Sequence, residues 1–90
     1  MKDNYLSIND FLELNGIDIK DYDIYYNKPD KDMYIDNDKI KLESTLDLEK
    51  ETFYDSYAFM EMFKVEELYK LMEIIRLCIE YHKQVDEIER

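Results

Sequence analysis

Cys78, His82 and Asp86 recur at four-residue intervals, a spacing that on a helix lines up a thiol, an imidazole and a carboxylate, the donor types that hold zinc. A structural zinc site needs four ligands, and the chain has one cysteine and one histidine. The trio is therefore read as a cysteine packed as a small hydrophobe and a histidine at the edge of an interface. Asp30-x-Asp32 and Asp36-x-Asp38 open like calcium loops, but an EF-hand requires glycine at its sixth position and glutamate at its twelfth. From Asp30 those positions are Ile35 and Lys41, and from Asp36 they are Lys41 and Asp47, so these acids read as solvated turn residues. Nucleophilic catalysis needs a serine or cysteine activated by a base. Ser7, Ser44 and Ser56 sit where capping or surface residues do, and His82 has no partner visible in the chain. With a single glycine, a phosphate-cradling loop is impossible. Neither an enzyme nor a metal or other cofactor is expected.

The remaining chemistry is that of contact. There are 23 acidic and 12 basic residues, a formal charge of −11, and nine tyrosines with no tryptophan. Such a charge repels DNA, RNA and anionic membrane and attracts a basic protein surface, in a salt-sensitive way. Tyrosine gives a large contact area with few torsions to freeze. Asp21, Asp23, Asp30, Asp32, Asp36 and Asp38 cluster with Tyr25, Tyr26 and Tyr34, and Glu66, Glu67 and Glu73 follow near the C-terminus. These are the candidate partner-binding residues. Consecutive Tyr25 and Tyr26 point to opposite faces of a strand, so at least one faces outward. The plainer alternative is that tyrosine simply suits strands.

The elements that would carry these residues can be read from period and punctuation. The 90-residue chain reads as one domain, of a size that buries roughly two thirds of its unfolded surface. Ser7 and Asp10 have capping-box spacing, Ile8, Phe11, Leu12 and Leu14 share a helical face, and Gly16 suits a helix end, so the spacing predicts a helix over 8–15. From Ile17 to Leu42 apolar residues alternate with polar ones, interrupted by turn signals at Lys28-Pro29-Asp30-Lys31 and Asp36-Asn37-Asp38. This predicts a three-stranded antiparallel meander, with Leu46 and Leu48 extending the third strand or opening a fourth.

After Thr52 the pattern reads as helical, with Thr52 and Asp55 at capping-box spacing. The expectation is a break near Lys64 rather than one helix from Phe53 to Glu89, which would be ~55 Å long. The run Phe53 to Phe63 is apolar around most of its circumference and reads as a plug between sheet and long helix. In the long helix, Val65, Leu68, Met72, Ile75 and Ile79 form a heptad seam, flanked by Leu71, Ile74, Cys78, Tyr81, Val85 and Ile88. That face is wide enough for both the sheet and a further contact. The fold expected is α+β: a short helix, an antiparallel sheet, and a C-terminal helix or helix pair packed on it.

In size, acidity, tyrosine content and AT-rich coding style, with ten lysines to two arginines, the chain resembles small phage-type inhibitors such as anti-CRISPR and anti-restriction proteins. The resemblance implies a protein that occupies the basic nucleic-acid channel of an effector, setting carboxylates where phosphates would lie. A lone cysteine, no leader-like segment and no run of ~20 apolar residues lead to the expectation of a cytoplasmic protein. The alternative is a dimer or adaptor built on the apolar face of Val65 to Ile88.

Overall fold

The computed structural model describes residues 6–55 and 64–89. A short helix, α1 (Ile8–Leu14), leads into four strands, β1 (Asp23–Asn27), β2 (Asp32–Asn37), β3 (Leu42–Asp47) and β4 (Thr52–Asp55), and then a long helix, α2 (Val65–Ile88). The strands form one antiparallel sheet in the order β1-β2-β3-β4. The fold is α+β.

α1 starts and stops where local chemistry dictates. The Ser7 hydroxyl accepts from the Asp10 N–H at 3.2 Å. At the other end Gly16 takes φ +85°, its N–H donates to Glu13 O at 3.0 Å, and the Ile17 N–H donates to Leu12 O at 3.0 Å. These two bonds satisfy carbonyls that the helix end would otherwise leave bare. α2 begins at Lys64, where the Glu67 carboxylate reaches back to the Lys64 N–H at 3.1 Å.

Three departures from the sequence pattern arise in the sheet. First, it has four strands rather than three. β3 runs Leu42–Asp47, and Ile40, expected within a strand, lies in a 3₁₀ turn, Asp38–Ile40. Second, Ile17 and Ile19 precede β1, and Ile19 is buried without joining the sheet. Third, Thr52–Asp55 forms β4, so Thr52 caps no helix and the single helix from Phe53 is excluded. Pairing decides this: Phe53 is directly opposite Leu46 and continues the apolar face of β3, a tertiary contact that local helix propensity does not register. The rest of the run to Phe63, with Ser56, lies outside the described residues.

All three connections are four residues long, 28–31, 38–41 and 48–51, and each ends in a left-handed residue: Lys31 (φ 59°), Lys41 (φ 54°) and Glu51 (φ 54°). Only the first carries the proline signature. Directly paired residues share a face, so the pairs Asn27–Asp32, Asn37–Leu42 and Asp47–Thr52 that flank the connections carry one inward face from strand to strand.

Ile24, Met33, Ile35, Leu42 and Leu46 point inward and are buried with Ile8, Leu12, Ile19 and Tyr22. Leu71, Ile74, Leu77, Cys78, Tyr81 and Val85 of α2 close this layer. Truncating a fully buried leucine or isoleucine here would cost about 2–5 kcal/mol, against about 0–1 for a surface ion pair, so the apolar layer holds the fold. Two buried polar residues are bonded: Ser44 Oγ donates to Ile35 O at 2.5 Å, and Asn37 Oδ1 accepts from the Lys39 N–H at 3.0 Å. Burial pushes the Tyr22 phenol above its ordinary value, opposed by its hydrogen bond to Asn37.

The left-handed loop ends make a paired prediction. Lys41→Gly should raise stability by about 0.5–1 kcal/mol, since relief of a left-handed side chain (~1–2 kcal/mol) exceeds the entropy glycine adds to the unfolded chain. Gly16→Ala should lower it by about 1 kcal/mol, purely through backbone strain, because a Cβ there meets nothing within 4 Å. Urea denaturation midpoints of the two variants would check both signs.

Candidate binding surface

The face of the sheet turned away from the helices has eleven strand positions: five acids, three tyrosines, two threonines and an asparagine, and no cation. Strand pairing sorts them into three rows. Tyr25, Tyr34, Thr45 and Tyr54 lie side by side across the four strands. On one side runs Asp23, Asp36 and Glu43; on the other, Asn27, Asp32, Asp47 and Thr52. An aromatic strip is thus railed by carboxylates on both sides. The Tyr25 and Tyr34 rings stack, 6.0 Å between centroids and 8° from parallel, with Tyr25 63% and Tyr54 54% exposed.

Asp23 is directly opposite Asp36, Asp36 opposite Glu43, and Asp32 opposite Asp47. Like charges so placed destabilise a sheet. Two of these carboxylates also have local duties: Asp36 Oδ1 accepts from the Ser44 N–H at 3.3 Å, and Asp47 Oδ1 from the Glu49 and Lys50 N–H groups at 3.0 and 2.9 Å. Neither bond neutralises a charge. Among the described residues no ion pair involves Asp23, Asp32, Asp36, Glu43 or Asp47, while Lys28 pairs with Glu89, Lys31 with Glu49, Lys39 with Asp21 and Lys83 with Glu51.

The sequence-level candidates divide accordingly. Asp23, Tyr25, Asp32, Tyr34 and Asp36 share the open face. Asp30 is exposed in the first turn, where it accepts from Asn27 Nδ2 at 3.0 Å, and Asp38 is exposed at the start of the 3₁₀ turn. Asp21 lies ahead of β1, 3.4 Å from Lys39. Tyr26 does not belong to the surface: it points inward, because strand alternation turns it opposite to Tyr25, and its hydroxyl meets His82 Nδ1 at 2.6 Å. Glu66, Glu67 and Glu73 are on α2, across the sheet from the rows. Glu67 caps its helix, and Arg76, 2.5 Å from Glu73, holds that carboxyl below its ordinary value. Glu43, Thr45, Asp47 and Tyr54 were missed, since they enter the face only once β3 and β4 are recognised as strands. The alternation of Leu42, Ser44 and Leu46 with Glu43, Thr45 and Asp47 was the available signal.

The residues that first suggested chemistry are elsewhere. Cys78 is buried, its thiol pushed up to about 12 by desolvation, which keeps it protonated and unreactive. His82 is buried against Tyr26, with the rings 5.8 Å apart and nearly perpendicular, beside Phe11 and Tyr81. The Tyr81 hydroxyl donates to Leu6 O at 2.6 Å. Among the described residues no cluster of three or more His, Cys, Asp or Glu is placed to hold a metal ion, and no helix is long and apolar enough to cross a membrane. Comparison of the chain with protein-family models, curated proteins and solved structures finds no match.

Burial lowers the His82 imidazole below its ordinary value, with Asp86 opposing and Lys31 adding to the shift. The unfolded chain then binds the proton more readily, so stability from this group is complete above roughly pH 6.5 and is lost as pH falls from there toward the folded-state value. Wild type should therefore lose more stability than His82→Gln over that window, measured as the difference between their denaturation curves. On the open face, Asp36→Asn keeps the acceptor for Ser44 and removes two like-charge oppositions. It should stabilise the fold by about 0.5 kcal/mol at low salt and by less at high salt.

Proposed function

We propose that the chain is a binding protein that uses the open sheet face to occupy a basic surface of a partner, as a stoichiometric inhibitor of a nucleic-acid-binding effector of the anti-CRISPR or anti-restriction type. One observation carries this reading: five carboxylates without a single cation surround an exposed tyrosine strip, in a register that sets acid against acid. A sheet face whose only task was solvation would be more stable with the signs interspersed. Fixed on paired strands, the carboxylates are held at strand spacing, as a charge mimic must hold them. A channel lined by lysine and arginine for nucleic acid attracts such a surface, and the rings add contact area where the partner is desolvated.

The test is displacement. Titrated into an RNA-guided or restriction-type effector loaded with fluorescent DNA, the protein should release the DNA at low salt and do so far less readily at high salt. The triple substitution Asp23→Asn, Asp36→Asn and Glu43→Gln should abolish release while leaving the fold intact. Release that hardly changes with ionic strength would overturn the charge-mimic mechanism.

A second reading, assembly through α2, has its own observation. Val65, Tyr69 and Met72 are 60, 67 and 62% exposed on a helix whose opposite side is core, and Leu68, Ile75 and Ile79 are only half-buried. Sedimentation at tens of micromolar would give a dimer for wild type and a monomer for Met72→Glu; a strict wild-type monomer excludes self-assembly.

A further inference from the structure

The three rows of the open face form a track, and its dimensions select an occupant. Asp23 and Asn27 are four residues apart on β1, as are Asp36 and Asp32 on β2 and Glu43 and Asp47 on β3. At ~3.3 Å per residue the two rails stand about 13 Å apart. Along each rail, neighbouring carboxylates are one strand apart, about 5 Å. An α-helix with its side chains is ~10–12 Å across and repeats every ~5.4 Å. A helix laid along Tyr25, Tyr34, Thr45 and Tyr54 would fit between the rails and bring one flanking residue per turn to each carboxylate in succession.

We propose that the element this face receives is a basic α-helix of the partner, about three turns long, crossing the strands along the tyrosine strip with arginine or lysine on both flanks. The inference rests on the binding role argued above and names what is bound. Charge complementarity commits the face to a cationic occupant, since it offers five carboxylates and no cation. Two rails, rather than one patch, call for cations on two sides of a single element. The strip between them bears ring faces, which receive aliphatic side chains and, at the strip's margins, the planar guanidinium of arginine. An extended basic strand matches less well: with its alternating side chains turned to the two rails, it has none left to meet the tyrosine strip between them.

The probes are two synthetic peptides of equal composition, with arginines on both flanks of a leucine and alanine stripe. In one a lactam staple holds the helix, and in the other two central prolines prevent it. Calorimetry against the full chain at low salt should show the helical peptide binding at least tenfold more tightly. That preference should fall for the variant Asp23→Asn, Asp36→Asn, Glu43→Gln, for the variant Asp32→Asn, Asp47→Asn, and for Tyr34→Thr, which leaves every charge in place. Equal binding of both peptides, with the same losses in the variants, would overturn the helical occupant and leave the binding role of the face standing. Affinities and DNA displacement unchanged in all three variants would overturn the binding role itself.

Discussion

Strand alternation is the constraint from which the rest follows. Side chains along a strand point to opposite faces, and residues paired across strands share a face, so the register of the three strand pairs keeps one side inward across the whole sheet. Every apolar strand residue therefore lands on the side covered by α1 and α2, and every acid of the central strands on the other. A one-residue slip in any hairpin would bury carboxylates beneath α2 and strand Met33, Ile35 or Leu46 in water. Desolvating even one such charge costs several kcal/mol, so the register is held by the core rather than by the turns.

The same constraint gives the face its character. Its acids are tied to a register they oppose, and the apolar layer beneath overrides that opposition. Four lysines, Lys28, Lys31, Lys39 and Lys83, pair instead with Glu89, Glu49, Asp21 and Glu51. On α2 the pattern is different: six acids are interspersed with three cations, and Arg76 lies between Glu73 and Glu80 and pairs with both. The sheet face is where acids stand with no cation among them.

The aromatic cluster of Phe11, Tyr26, Tyr81 and His82 joins α1, the sheet and α2 near the C-terminal end of the long helix. It accounts for two residues whose types invited a functional reading. The Tyr26 hydroxyl and His82 Nδ1 satisfy each other within the core, and their bond ties α2 to β1. Their role is architectural.

What the sequence determined by itself was local: the Ser7 cap, the Gly16 stop, the proline turn at 28–31, the alternation through β1 and β2, and the helical period from Val65. Each depends on contacts within a few residues, which a pattern can register. The tertiary structure decided the rest. Thr52 to Asp55 has a helical start signal and is a strand because Leu46 and Thr45 offer it partners. The turns at 38–41 and 48–51 end in lysine and glutamate, residues that do not announce a left-handed backbone. The joining of Glu43 and Asp47 with Asp23, Asp32 and Asp36 into two rails needed the register of all four strands. Residues up to fifteen positions apart become neighbours there, and no local period encodes that distance.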